Sequence, residues 1–263
     1  MTTESKRTVW ITGASSGLGR SLALSLTGKG HRVIASARNE AELDKLVELD
    51  VNIVALPCDI TDETALEAAG KRILEISPHL DQVILNAGNC EYLDFPHPDW
   101  AAIRRVMEIN FFGTVNCVKM ALPLLRRSAN GRPHIVGVAS QVTAAAFPRA
   151  EAYGPSKAAM QYFFDSLRLD LAAEGIDVTV VNPGFVDTPL TRKNDFPMPF
   201  LMDVDEAASR IVKNIESRPL SYSFPLRLSA MLALSKLLPG LWQKMVAPKN
   251  NHSNNESERG AGK

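Results

Sequence analysis

Two groups of residues in this 263-residue chain have the types and spacing to do chemistry together. The first is Thr12-Gly13-Ala14-Ser15-Ser16-Gly17-Leu18-Gly19, a glycine-rich turn between an apolar run and a helical pattern. Glycines there let backbone N–H groups approach a phosphate closely, and the start of the helix adds the partial positive charge that suits a pyrophosphate. Taken alone, the turn could also be a plain tight connection, and its place after the first strand makes nucleotide binding the better reading. The second group is Tyr153-Gly154-Pro155-Ser156-Lys157. Four residues apart on a helix, the phenol and the ammonium share one face, a single turn from each other. A cation so placed favours phenolate and would lower the tyrosine pKa from about 10 toward a range useful for proton transfer. Tyr and Lys at this spacing also occur on solvated helix faces, so the pair takes its meaning from what surrounds it.

The surrounding pattern is a regular alternation. Short β-branched runs at 8–11, 32–36, 52–56, 82–85, 134–139 and 177–181 are separated by segments at 18–26, 40–49, 64–76, 100–125 and 152–173 whose apolar residues recur at three and four. Strands that are apolar on both faces and joined by helices predict an α/β fold: a single doubly wound, Rossmann-type parallel sheet with helices on both faces. Asn39 with Glu42, and Asp203 with Glu206, carry the spacing of helix caps, the latter opening a helix from 204 to about 217. In this frame the glycine turn ends the first strand, and Tyr153 and Lys157 open the helix after the fifth.

Taken as a set, the glycine turn, Asn86-Ala87-Gly88 after the fourth strand, Ser140 after the fifth and Tyr153-x-x-x-Lys157 resemble the short-chain dehydrogenase/reductase family over about residues 7 to 220. The resemblance implies an oxidoreductase that interconverts a carbonyl and an alcohol by hydride transfer. Ser140, Tyr153 and Lys157 would form its catalytic group, completed by Asn110 in the long helix after the fourth strand. Tyr153 would then supply the proton to the developing alkoxide, while Ser140 hydrogen-bonds the carbonyl oxygen. Lys157 would depress the Tyr153 pKa and hold the nicotinamide ribose, and Asn110 would hold a water leading from Lys157 to solvent. Epimerisation through a transient ketone, a catalytically silent NADP-binding sensor or interaction protein, and a membrane-surface reductase of lipid-like substrates stand as alternatives.

The resemblance also implies a set of cofactor contacts. Gly13, Ser15, Ser16, Gly17, Leu18 and Gly19 would cradle the phosphates. Asp59 and Ile60 would meet the adenine after the third strand, and Asn86, Ala87 and Gly88 the adenosine side. Tyr153 and Lys157 would reach the ribose, and Pro183, Gly184, Val186 and Thr188 the nicotinamide. At the end of the second strand an NAD site generally carries an acid for the ribose hydroxyls, whereas here Ser36 and Ala37 are followed by Arg38, a guanidinium suited to a 2′-phosphate. NADP(H) is therefore favoured over NAD(H). One NADP pattern places a basic residue at the Ser16 position, and its absence leaves Arg38 as the main determinant.

Residues 1–222 are read as the NADP-binding and catalytic unit, with a substrate lid over about 188–203 in which Phe196, Met198, Phe200, Leu201 and Met202 suggest an apolar substrate. Residues 223–249 are read as an amphipathic helical extension and 250–263 as a disordered tail. Four Lys/Arg and no acid occur between 223 and 249, as on a segment that rests on an anionic membrane. Packing on the domain or across an oligomer interface is the favoured alternative for 223–246, and Pro239 and its length exclude a spanning helix. The resemblance implies a homodimer or homotetramer formed through the helices at 100–125 and 152–173.

Composition bounds the rest. With 29 Lys+Arg against 29 Asp+Glu, a nucleic-acid partner is not expected, since binders of that kind carry a basic excess. Cys58, Cys90 and Cys117 are odd in number and lack C-x-x-C spacing, which fits a reduced chain without disulfide or metal site. No secretory leader pattern precedes the first strand, so the expected location is cytoplasmic, with the inner membrane surface as the alternative.

Overall fold

Each β-branched run becomes a strand with both faces covered, in the computed structural model that describes residues 6–129 and 131–247. The elements run β1 (Thr8–Thr12), α1 (Gly17–Thr27), β2 (Arg32–Ser36), α2 (Glu40–Val47), β3 (Ile53–Ala55), α3 (Glu63–Ile76) and β4 (Gln82–Leu85). They continue with α4 (Ala101–Met107), α5 (Gly113–Leu125), β5 (His134–Val138), α6 (Tyr153–Leu171), β6 (Asp177–Pro183) and α7 (Val204–Ile215). The chain closes with β7 (Ser221–Phe224), α8 (Leu226–Leu237) and α9 (Pro239–Val246). All strand pairings are parallel, and the order across the sheet is β3-β2-β1-β4-β5-β6-β7. The direction of winding reverses between β1 and β4, so a crevice opens there at the carboxyl ends of the strands.

Successive side chains of a strand point to opposite faces, which divides the core in two. On one face Val9, Ile11 and Val33 meet Leu22 and Leu26 of α1, Leu43 of α2 and Ile211 of α7. On the other, Trp10, Ile34 and Val83 meet Ile73 of α3, Ala121 of α5 and Phe164 of α6. Gly137 in β5 sets how closely α6 approaches, because a Cβ there would lie 2.1 Å from the Phe164 ring. The ring thus lies directly on the strand and brings the start of α6 to the sheet edge where Ser140 emerges. The expected caps form: Asn39 accepts from the Glu42 N–H at 3.2 Å, and Asp203 from Asp205 and Glu206 at 2.9 and 3.0 Å. Each such cap stabilises its helix by roughly 1 kcal/mol.

Three features differ from the sequence expectations. The helix expected over 100–125 is interrupted by a π-helical turn, Glu108–Phe112, between α4 and α5. A seventh strand, β7, is half-exposed and alternates Ser with Tyr and Phe, so it lacks the continuous apolar run that marks its buried neighbours. The extension over 223–246 is a strand end and two helices rather than one helix. Leu238 leaves helical geometry (φ −128°, ψ 61°) because Pro239 can neither donate to the preceding turn nor clear its carbonyl, and the proline restarts the helix as α9. Residues 248–263, including the tail expected over 250–263, lie outside the described residues.

Candidate active site

The glycine turn is shaped by backbone crowding. Gly13 and Gly17 adopt φ values of +69° and +50°, which L side chains rarely take. A Cβ on Gly13 would lie 2.8 Å from the Ala87 Cα, and one on Gly19 only 2.1 Å from the Gly13 carbonyl oxygen. Gly19 therefore acts by letting α1 pack against its own turn, and it does not line the cleft. Asn86 fixes the other wall: its Nδ2 donates to the Thr12 and Gly13 carbonyls, both at 3.2 Å, while Thr12 Oγ1 accepts from the backbone N–H groups of Asn86 and Ala87 at 3.1 Å. Ser16 precedes α1 without a side-chain cap, so the first N–H groups of that helix are not satisfied by a cap of its own.

From this turn a cleft of about 460 Å³ runs along the carboxyl ends of the strands. Its walls include Ser15, Ser16, Gly17, Leu18, Arg38, Asp59, Ile60, Asn86, Ala87 and Gly88. They continue through Ser140, Tyr153, Lys157, Pro183, Gly184, Val186 and Thr188. Arg38 and the Ser140–Tyr153–Lys157 group lie on β2 and β5 sides of the crevice, three strand spacings apart. Ser36 at the end of β2 is buried, its Oγ accepting from the Trp10 indole at 2.8 Å. No carboxylate therefore stands at the end of β2. Arg38 is largely exposed and sits 3.9 Å from Asp59 Oδ2, and Asp59 Oδ1 accepts from Thr61 N and Oγ1. The shape and the donor set fit a dinucleotide: a crowded backbone cradle in the middle, a guanidinium toward one end and a hydroxyl, phenol and ammonium toward the other.

At the β5 end, Ser140 Oγ accepts from the Val142 N–H at 3.1 Å and lies near enough to the Tyr153 phenol to favour its ionised form. Lys157, one turn along α6, donates to the Val138 carbonyl at 2.9 Å, and its Nζ lies 5.9 Å from the Tyr153 ring centroid. Here the expected electrostatics are corrected. Burial pushes the Tyr153 phenol above its ordinary value, with the Cys90 thiol adding to the rise and the Ser140 hydrogen bond opposing it. Burial also brings Lys157 down to about 8. The ammonium is held on a main-chain carbonyl, and desolvation outweighs the effect that spacing alone suggests.

Asn110 sits in the π-helical turn, where the extra residue swings its side chain inward. It is fully buried; its Nδ2 donates to Asn89 O at 2.9 Å and to Ser156 Oγ at 2.8 Å, and its Oδ1 accepts from Asn89 N at 2.7 Å. Both Nδ2 hydrogens are engaged, so the amide ties the Gly88–Asn89 turn to α6, and its oxygens keep acceptor capacity for a water. A Cβ on Gly88 would lie 3.2 Å from Asn110 Oδ1 and 3.3 Å from Lys157 Nζ, which places all three groups in one cluster.

Several residues at the mouth were not singled out from the sequence. Tyr92 donates to Asn194 Oδ1 at 2.7 Å, meets Phe196 edge-on at 5.6 Å and lies under the Arg149 guanidinium at 5.2 Å. Arg149 pairs with Asp94 at 2.6 Å and Asp195 at 2.7 Å. These contacts fasten the segment after β4 to the loop before α6 and to the lid. Phe147 and Phe185 pack against Leu228, Leu232 and Trp242 of the C-terminal helices. The segment after β6 is further held by a parallel bridge between Val186 and Met202 and by Thr191 Oγ1, which donates to the Val186 carbonyl at 2.5 Å. Contacts between loops such as Tyr92–Asn194 and Arg149–Asp195, 102 and 46 residues apart, leave no local periodicity, and no sequence pattern announces them.

Comparison with known proteins places this geometry. A family model described as short chain dehydrogenase matches residues 7–197. An uncharacterized oxidoreductase of Myxococcus xanthus is 35% identical over 240 residues, covering 89% of this chain and 94% of that one. A dehydrogenase/reductase SDR family protein 7-like of Anopheles gambiae is 36% identical over 194 residues; the match covers 70% of this chain and 61% of the longer insect protein. A crystal structure of a short chain dehydrogenase from Burkholderia cenocepacia in complex with NADP superposes with a TM-score of 0.80 at 25% identity, covering 95% of this chain and all of that one.

Proposed function

This chain belongs to the short-chain dehydrogenase family of oxidoreductases, and on that premise we propose that it interconverts a carbonyl and an alcohol with NADP(H). The convergence of Ser140, Tyr153 and Lys157 at one end of the cleft, facing the glycine cradle, supports the reading. NADPH, when bound, supplies the hydride. Tyr153 protonates the developing alkoxide; at neutral pH the phenol is in the acid form that reduction needs. Ser140 orients the carbonyl oxygen beside that phenol. Lys157 holds a ribose and supplies positive charge at the proton-transfer site, while Asn110 positions α6 relative to the Gly88 turn.

Arg38 holds the 2′-phosphate, supported by its exposure at the cleft edge and by the lack of a carboxylate at the end of β2. Tyr92, Phe147, Phe185 and Phe196 favour an apolar carbonyl substrate. Exposed Phe112 beside α5, with Tyr162 and Leu169 seven apart on α6, supports pairing with a second copy through these helices.

Tyr153→Phe tests the chemistry. Turnover of NADPH with a carbonyl should fall by about 10²–10⁴ while NADPH still binds. Unchanged turnover would remove Tyr153 from the mechanism, and absence of turnover in the wild-type chain across aldehydes, ketones and quinones would favour a cofactor-binding sensor.

A further inference from the structure

The C-terminal helices bury one side and leave the other bare. Leu228 and Leu232 of α8 and Trp242 of α9 pack under Phe147 and Phe185, and the Trp242 indole donates to the Ala146 carbonyl at 2.8 Å. That contact accounts for the inward half of the pair, as packing on the domain would require. The outward side of α8 is also apolar. At about 100° per residue, Leu226, Ala230, Ala233, Leu234 and Leu237 fall within about 100° of arc on the face opposite Leu228 and Leu232, with Ala233 and Leu237 at the edge that also borders a cavity against Gln161 and Asn182. Leu226 and Leu237 are each 77% exposed, and Leu241 on α9 is 61% exposed with Leu238 and Met245 beside it.

Charge says what this strip faces. Arg227 and Lys236 flank it on α8, about 100° to one side of Leu226 and about 80° to the other, and Lys244 lies next to Leu241 on α9. All three are exposed, and no acid occurs between residues 223 and 249. A second copy applied to this strip across a twofold axis would set these cations against their own counterparts with no carboxylate from the segment to receive them. Residues 248–263 hold no apolar residue larger than Pro248 and cannot supply a complementary face. A leucine strip with Arg227 on one side, Lys236 on the other and Lys244 beyond it matches an anionic bilayer surface, where leucines enter the acyl boundary and basic side chains reach the phosphates. Among the described residues no helix is long and apolar enough to cross a membrane, so the fit is to its surface.

We propose that the outer face of α8, with Leu241 of α9 beside it, docks on anionic phospholipid bilayers, while Phe147 and Phe185 pack on the inward side of the same helices. That this surface delivers membrane-dissolved carbonyl compounds rests on the carbonyl–alcohol reading above; the docking does not.

The test is flotation of the full-length chain with vesicles of phosphatidylglycerol and phosphatidylcholine, and with phosphatidylcholine alone. The wild-type chain should float with the anionic vesicles, and recovery should fall at least about tenfold in Leu237→Glu/Leu241→Glu and severalfold in Arg227→Gln/Lys236→Gln/Lys244→Gln. All these side chains are exposed, and retained NADPH binding certifies the fold of each variant. A wild-type chain that stays below the anionic vesicles, or a leucine variant that floats with it, overturns the proposal. Light scattering without vesicles should give wild type and leucine variant the same mass; a mass halved in the variant overturns docking in favour of a second copy. A chain that floats yet reduces no carbonyl compound leaves the docking standing and removes the chemistry assigned to the cleft.

Discussion

The turn after β1 and the segment after β6 leave the same edge of one sheet, yet different forces hold them. Residues 13–19 are fixed by backbone against backbone, with Gly13 and Gly19 admitting no Cβ and Asn86 bonding the Thr12 and Gly13 carbonyls. Residues 184–202 are fixed by side chains from elsewhere: Tyr92 on Asn194, Arg149 on Asp195, and Leu228 against Gly184. A backbone cradle suits a ligand that never changes, because a single methyl group disrupts it. A side-chain lattice can be retuned one contact at a time, which suits the part of the site that selects a substrate. Substitutions should therefore act steeply and on the cofactor in the first region, and in small steps on the substrate in the second.

Gly19→Ala challenges the first half most directly. Its Cβ would lie 2.1 Å from the Gly13 carbonyl oxygen, so either the turn or the start of α1 must shift. Overpacking of this kind costs about 1–3 kcal/mol, equivalent to roughly 5- to 150-fold weaker NADPH binding when the strain falls on the turn. Fluorescence titration measures it, and binding within twofold of wild type would show that the cradle is held by something other than backbone crowding.

Arg38→Asp sharpens the same half. A charged hydrogen-bonding group contributes about 1.5–3 kcal/mol, so NADPH affinity should fall roughly 10- to 100-fold. NADH affinity should hold or improve, since the new carboxylate would stand where ribose hydroxyls are received. Equal losses for both coenzymes would mean that Arg38 supports the β2 end generally and does not select the 2′-phosphate.

The two regions also differ in how far the sequence announces them. The cradle combines a glycine pattern, the end of an apolar strand and the start of a helical period, all within about a dozen residues, so position and chemistry can both be read locally. The doubly wound sheet was legible for the same reason, because its buried strands are continuous apolar runs. The edge strand β7 was not, as half-exposure replaces that run with Ser-Tyr-Ser-Phe. Tyr92 and Asn194 stand 102 residues apart and belong to loops, so nothing in their own neighbourhoods marks them as partners. The Tyr153–Lys157 spacing correctly put both groups on one face of α6, but the sign of the phenol shift depends on burial, which spacing does not report.

Lys157 lies between the two regions and carries a pH signature. Its pKa in the folded chain, about 8, is below its ordinary value near 10.5. Between these values the unfolded chain binds more protons than the folded one, so this group makes stability rise with pH from about 8 upward; below 8 the penalty for a buried ammonium is felt in full. The melting temperature of Lys157→Met minus that of wild type should therefore fall by on the order of a few degrees between pH 8 and pH 10. A constant difference would show that Lys157 is solvated in the folded chain and that its pKa is ordinary.

Tyr92→Phe tests the substrate side with the least disturbance. The ring, its edge contact with Phe196 and its place beneath Arg149 remain, and only the hydroxyl that donates to Asn194 at 2.7 Å is removed. A neutral hydrogen bond of this kind contributes about 1 kcal/mol, so the lid should open more readily and KM for the carbonyl substrate should rise by about fivefold. Because Tyr153, Ser140 and Lys157 are untouched, kcat and NADPH affinity should stay within about twofold. The split matters more than the size of the effect. If kcat falls in step with kcat/KM, Tyr92 acts on the transition state and belongs with the reacting groups; if NADPH affinity falls instead, the lid closes on the cofactor, and cradle and lattice are one binding unit.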